Sequence, residues 1–337
     1  MSFADELKKA AAKDVLRLHT PGHKGKLDSL DLTELTDSSF PDDALAAAQQ
    51  KAAEVFGAKH ARYLCGGSSQ GVKAAVFFGG ANGIVDVNSH RSVFDGFLLS
   101  GKRCIAAGER GDVRPLSLEQ IKAKLTPEAK AVVVTSPTYY GYCADVEGIA
   151  DYCKKRGLLF ICDSAHGAHF GFSNLLPKSA VPFCDICNVS THKTLSALTQ
   201  SALLFDNLSD GDSKELGSAA DVMGSTSPSY LLYASIDYAV RKAAKEQTAE
   251  AYAALYGRIE AIKREYPFLQ NDDFTRLVLD CGALGKDPQR LNARLCELGV
   301  YSERVDERYI IFLFTAENVP SDVEDLGVAI GRAVREI

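Results

Sequence analysis

The chain has 337 residues, 46% hydrophobic and 24% charged, enough for one large and one smaller domain around substantial cores. A net charge of -6 offers a nucleic acid nothing to hold, and no apolar run, the one around Ala131 to Val134 included, is long enough to span a bilayer. Nine cysteines at irregular spacings, with no export signal ahead of them, point to reduced thiols in a cytoplasmic protein rather than a disulfide framework.

The first segment, MSFADELKKAAAKDVLRL, reads as an amphipathic helix with Ser2 as its cap, without the apolar run and small-residue cleavage site of a leader. From about residue 60 to residue 205 strand-like runs (ARYLC, GIVDVN, KRCIAA, KAVVVTSP, GLLFICD, ICNVS, SALLFD) alternate with helix-like segments. Those segments are VKAAVFFGG, VFDGFLLSG, SLEQIKAKL and DVEGIADYCKKRG, the last with Asp145 as N-cap and Gly157 as left-handed C-cap. Such alternation predicts a mainly parallel sheet covered on both faces, with ligands at the carboxyl ends of its strands. From Pro228 to about Tyr266 the pattern is one long helix, broken near Pro267. A strand in FTRLVLDCG, a helix from Pro288 to Leu298, a strand in YIIFLFT and a last helix to Ile337 make a small α/β domain. The expected division is an N-terminal helix and arm over 1–35, a large domain over 36–240 and a small one over 241–337.

Four strand-end loops concentrate reactive residue types. In LCGGSSQGVKAAVFF a Gly-Gly-Ser-Ser turn enters a helix, so backbone N–H groups and the Ser68 and Ser69 hydroxyls form either a phosphate cradle or an ordinary cap. His90 follows a strand end in DVNSHRSV, where a histidine is more often a structural hydrogen-bonder than a catalyst. Asp163 closes the apolar strand of LLFICDSAHGAHFGF, so its carboxylate is partly desolvated and calls for a cation. No Arg or Lys stands beside it in the sequence, which leaves room for a cationic ligand. Lys193 lies thirty positions further (193 minus 163), flanked by Ser190, Thr191, His192 and Thr194, donors suited to a phosphate. A desolvated lysine in that setting is an amine nucleophile. A phosphate site, an acid for a ring nitrogen and a lysine for an aldehyde together specify pyridoxal phosphate. The CxxC of Cys184 and Cys187 lacks a second pair and sits in the strand-like VPFCDICNVS, so it reads as structural and no metal is expected.

Several motifs resemble, in order, those of the bacterial ornithine/lysine/arginine decarboxylases. They are TPGHK at Thr20, DLTEL at Asp31, AQQKAAEVFGA at Ala48, SHRSVFDG at Ser89, SPTYYG at Ser136, DSAHGAHF at Asp163, STHKTLSALTQSALL at Ser190 and STSPSYLLYASID at Ser225. The resemblance implies the aspartate-aminotransferase-like fold type I of pyridoxal-phosphate enzymes, and decarboxylation of arginine, lysine or ornithine towards polyamines. It gives Lys193 the Schiff base, Asp163 the pyridinium nitrogen, and His90 and Ala165 the two faces of the ring. Ser68, Ser69, Ser190 and His192 would hold the phosphate. Ser225, Thr226 and Ser227 would reach it from the neighbouring subunit of a homodimer with shared sites, which can assemble further. His166 would lie near the ring or substrate, Tyr139 would line the pocket, and Lys193 or His192 would return a proton; His169 stays closer to a structural role. The chain is short for that family, whose members usually carry a further C-terminal domain, and its segment after TEL is compressed. No acidic residue maps onto the grip for the substrate's distal cation; Asp37, Asp42 and Asp43 are the candidates in the divergent stretch. The same cofactor motifs would serve transamination, β-elimination or aldol cleavage, or a weakly active regulatory paralogue.

Overall fold

A computed structural model describes residues 2–13, 15–33 and 40–337, which divide into two compact units. The first comprises 1–136, 144–169 and 179–244; the second comprises 137–143, 170–178 and 245–337.

The first unit opens with α1 (Phe3–Ala11), where Ser2 Oγ accepts from Asp5 N and the Asp5 carboxylate accepts from Ser2 N. Its buried residues are Phe3 and Leu7. The helix is shorter than the pattern suggests: residues 15–18 are irregular, and Leu16 and Leu18 are exposed. With no apolar partner to cover, further turns gain too little to offset their ordering cost. Then follow α2 (Asp42–Phe56), β1 (His60–Leu64), α3 (Gly67–Gly79), β2 (Asn82–Asp86), α4 (Arg91–Ser100), β3 (Cys104–Ala107) and α5 (Leu118–Ala123). Next come β4 (Ala129–Thr135), α6 (Val146–Arg156), β5 (Leu159–Asp163), β6 (Ile186–Val189), α7 (Thr191–Thr194), β7 (Ala202–Asp206), α8 (Asp210–Val222) and α9 (Tyr230–Ala243). All seven expected strands form, and Asp145 and Gly157 cap α6 as expected: Asp145 accepts from Gly148 N, and Gly157 has φ 63°.

The sheet order is β1-β7-β6-β5-β4-β2-β3, with β7 antiparallel to both its neighbours and all other pairs parallel. Its middle strands are apolar on both faces, as a covered parallel sheet requires. Val72, Ala75 and Val76 of α3 join Val85, Val133, Ile161, Ile186 and Leu204 in one core. That core brings the carboxyl ends of β4, β5 and β6 and the start of α3 together.

The second unit holds α10 (Glu246–Glu265), β8 (Arg276–Asp280), α11 (Pro288–Glu297), β9 (Arg304–Val305), β10 (Tyr309–Leu313) and α12 (Pro320–Glu336). Its antiparallel sheet, ordered β8-β10-β9, packs Leu277, Leu279, Ile310 and Phe312 with Leu255 and Ile259 of α10 and Ile330 of α12. The single helix expected from Pro228 to Tyr266 is two helices, interrupted at Ala244 and Lys245, the latter extended at φ -85°, ψ 149°. No glycine or proline marks this break. It falls where α9 ends its burial in one core and α10 begins in another, so tertiary packing overrides the helical propensity of the stretch. Among the described residues no helix is long and apolar enough to cross a membrane.

Candidate active site

The α3 entrance is built by glycine. Gly67 has φ +68° and donates its N–H to Gln200 O at 2.9 Å, a left-handed turn that a side chain resists. Gln70 accepts from Gly66 N at 2.9 Å and donates to Ala220 O at 2.8 Å, which ties the turn to α8. The Gly-Gly-Ser-Ser stretch is therefore less a turn ahead of a helix than the helix start itself, with Ser68 and Ser69 half-buried in its first turn. Its N-cap, Gly66, brings no side-chain oxygen.

Asp163 ends β5 and is 3% exposed. Burial pushes its carboxyl above the ordinary range, against the opposing pull of Lys193 and His90. The cation absent beside Asp163 in sequence is thus supplied in space by Lys193 of α7. Asp163 Oδ1 also accepts from Ala165 N at 3.2 Å, and Ala165 O accepts from Ser190 N at 3.3 Å, joining the loops after β5 and β6. Lys193 sits half-buried in the one-turn α7, its Nζ 3.0 Å from Nε2 of the buried His166. With Lys193 as an ammonium, which only donates, His166 accepts on an unprotonated Nε2; with a neutral amine the direction can reverse. His90 caps α4: its Nδ1 accepts from Ser92 N at 3.2 Å and lies 2.8 Å from Ser92 Oγ, which leaves the ring proton on Nε2 and the imidazole exposed.

The hydroxyls of Ser190 and Thr191 are buried with no hydrogen-bond partner among the described residues, as are Ser89 Oγ and Thr194 Oγ1. Buried polar groups are nearly always paired, so the orphans of Ser190, Thr191 and Thr194 just beyond β6, with Ser89 beyond β2, mark space for a polar ligand along the carboxyl edge of the sheet. Of these, Ser89 stands out only in three dimensions. His192 is half-buried beside Lys193, and its N–H donates to Ser201 O at 3.4 Å.

Ser225, Thr226 and Ser227 form an exposed loop between α8 and α9, closed by Ser227 N donating to Ser225 Oγ at 3.1 Å. Tyr139 belongs to the second unit, donating to Glu303 Oε1 at 2.7 Å beneath the guanidinium of Arg304, 4.8 Å from its ring centre. His169 is completely buried. Asp42 and Asp43 are exposed in the first turn of α2, and Asp37 lies outside the described residues. Cys184 and Cys187 do come together with a third thiol, Cys162, all three Sγ within 4.8 Å of one another. Cys162 donates to Ser136 O at 3.9 Å and Cys184 to Ala180 O at 3.2 Å; burial pushes the Cys184 thiol up, whereas hydrogen bonds from Cys162 and Cys184 bring Cys187 down to about 6.

The profile described as Orn/Lys/Arg decarboxylase, major domain, matches residues 25–279, and so covers Asp163, Lys193 and every loop described above. The chain belongs to the Orn/Lys/Arg decarboxylase family. It is 29% identical to an arginine decarboxylase of Bacillus subtilis over 98% of its own length and 76% of that protein's. The constitutive lysine decarboxylase of E. coli superposes with a TM-score of 0.79 at 17% identity, over 99% of this chain and 60% of that one. A structure of SPT with PLP gives a TM-score of 0.71 at 16% identity, over 99% and 85%. The fold is therefore the α/β fold type I of pyridoxal-phosphate enzymes. The chain spans about 60% of the length of the lysine decarboxylases whose structures it matches.

Proposed function

We propose that this protein is a pyridoxal 5'-phosphate-dependent decarboxylase of a basic amino acid (arginine, lysine or ornithine), working as a cytoplasmic homodimer. One observation carries the reading: an amine, Lys193, and a buried carboxylate, Asp163, sense each other across two neighbouring strand ends that also bury the orphaned hydroxyls of Ser190 and Thr191. The residues present fit the cofactor. The first turn of α3 with Ser68 and Ser69, and Ser190 and His192 across from it, would hold its phosphate. Asp163 would hold the protonated ring nitrogen, a charge that offsets the cost of burying a carboxylate. When bound, pyridoxal phosphate supplies an electron sink for the substrate's Cα.

The chain's own groups then have definite tasks. Lys193 would anchor the cofactor through its ε-amine, which attacks only when neutral. His166, already bonded to Nζ at 3.0 Å, is placed to take that proton and to return it. His90, pinned at Nδ1 by Ser92, presents a fixed ring face, and the small Ala165 lets a flat ligand approach from the other side. Ser225, Thr226 and Ser227, exposed in this protomer, would complete the phosphate site of a second one, and Tyr139 would line the substrate pocket.

The test is to load the protein with pyridoxal phosphate, record its visible spectrum, and assay carbon dioxide release from arginine, lysine and ornithine. Turnover of one of them, with both spectrum and turnover lost in Lys193→Ala, supports the proposal and names the substrate. A lysine-dependent spectrum with a keto acid or ammonia as the product overturns the decarboxylase assignment.

A further inference from the structure

Register places three polar side chains in a row across the sheet. Thr135 of β4 pairs with Asp163 of β5, and Asp163 pairs with Asn188 of β6, all at the carboxyl ends of parallel strands. Paired residues in a parallel sheet point to the same face, so Asn188 and Thr135 flank Asp163 on either side. Asn188 is 1% exposed, and neither its Nδ2 nor its Oδ1 has a hydrogen-bond partner among the described residues; Thr135 Oγ1 is also buried without one. On the far side the amide is walled in by α3: a Cβ built on Gly71 would come 2.2 Å from Asn188 Oδ1. A buried amide with no partner at either end is costly and has few ways of being tolerated. The group beside it with acceptor capacity to spare is Asp163, an acid that accepts one backbone N–H at Oδ1.

We infer that Asn188 is a positioning residue for Asp163, its amide donating to the ionised carboxylate once the cofactor is bound, with Thr135 bracing the other side. The inference rests on the reading above that Asp163 holds the ring nitrogen. It explains why an amide interrupts the otherwise apolar strand ICNV at the position beside the acid. Asp163 is held above its ordinary range by burial, and the groups that act on it are Lys193 of α7, His90 at the α4 cap, Cys162 of its own strand and Ala165 N; Cys187 of β6 also feels its charge. Cys162 and Cys187 pair with each other one position before Asp163 and Asn188, so their thiols point to the opposite face, which leaves the side-chain donor at strand level to Asn188. The cost of the unpaired amide is borne by the apoprotein and offset when the site is filled.

This separates a positioning role from a structural one by the sign of two effects. In Asn188→Leu, the apoprotein loses an unsatisfied amide and keeps the volume, so its melting temperature is unchanged or higher than wild type. The same variant retains pyridoxal phosphate about tenfold less tightly, as expected for one lost hydrogen bond to a charged group. With the donor gone, Asp163 protonates more readily, so the pH below which cofactor is released moves up. Asn188→Asp sets a second carboxylate beside the first and moves that midpoint further in the same direction. Retention is read by cofactor fluorescence at equilibrium, and Asp163→Asn is measured alongside. A destabilised Asn188→Leu apoprotein with wild-type retention and midpoint would show Asn188 to be purely structural and overturn the inference. If Asp163→Asn itself retains cofactor like wild type, the assignment of Asp163 fails and the inference falls with it. Should Asn188→Leu not fold, Asn188→Asp is near-isosteric, and an unmoved midpoint in that variant refutes the inference as well.

Discussion

Gly71→Ala gives the most direct test of how tightly α3 is seated over the site. In an exposed helix interior this change is favourable by about 1 kcal/mol, because alanine has less backbone entropy to lose. At Gly71 the new Cβ would lie 2.2 Å from Asn188 Oδ1 and 2.8 Å from Leu64 Cδ1, inside any real contact distance. Asn188 is fully buried and belongs to a central strand, so it has little freedom to retreat, and α3 must lift instead. Overpacking of this kind costs roughly 1–3 kcal/mol, and with both the Asn188 and Leu64 contacts closed the upper part of that range applies, leaving a net loss of up to about 2 kcal/mol. For a unit of this size that is a fall of several degrees in melting temperature, about 2–4 °C for each kcal/mol. Cofactor affinity falls too, since Ser68 and Ser69 ride on the first turn of the displaced helix. The control is Gly257→Ala in α10, exposed and with nothing within 4 Å of the place its new methyl would take, where the propensity gain acts alone and stability rises. Calorimetry of both variants, with a cofactor titration, decides the matter. A Gly71→Ala protein that melts at or above wild type and binds cofactor unchanged refutes the argument that the α3–β6 contact is closed.

Asp163→Asn has a pH signature in the apoprotein. Burial raises the folded-state pKa above 3.8, so the carboxylate destabilises the fold increasingly as pH rises from 3.8 through the folded value, and costs nothing below 3.8. The asparagine variant therefore melts above wild type at neutral pH, and the difference closes on acidification; equal melting at neutral pH would contradict the burial argument. Phe3→Ala removes a side chain 1% exposed that packs on Phe40, Tyr230 and Tyr233, and should destabilise the first unit by about 3–5 kcal/mol, seen as an earlier urea transition. In a native thiol titration the exposed Cys104 reacts at once, whereas Cys162, Cys184 and Cys187 react only with unfolding; fast labelling of the triad would show that it is reachable.

The strands of the large sheet were legible because each is a short apolar run closed by a glycine, a proline or a polar residue. Where a run ended in Asp163, or led into Lys193, the change of character itself pointed to chemistry. The break at Ala244 and Lys245 carried no such mark, since its cause is the change of packing partner on either side. The two-residue β9 is too short for any periodicity to show. The pairing of Lys193 with His166 was similarly hidden: it depends on β5 and β6 being neighbours across an intervening excursion into the second unit, a matter of topology rather than of local pattern. Asn188 could have been noticed as the one amide in an apolar strand, but only the register beside Asp163 gives it meaning.

The chain leaves the first unit twice before its last crossing, over 137–143 just beyond β4 and over 170–178 beyond the loop that carries Asp163 and His166. Both departures begin at strand ends that frame the candidate site. The second unit is consequently not a cassette that could be traded between relatives by a single recombination event. A cut at Ala244 would strand two inserted segments without the residues they fold with, and a graft from another protein would have to match five junctions at once.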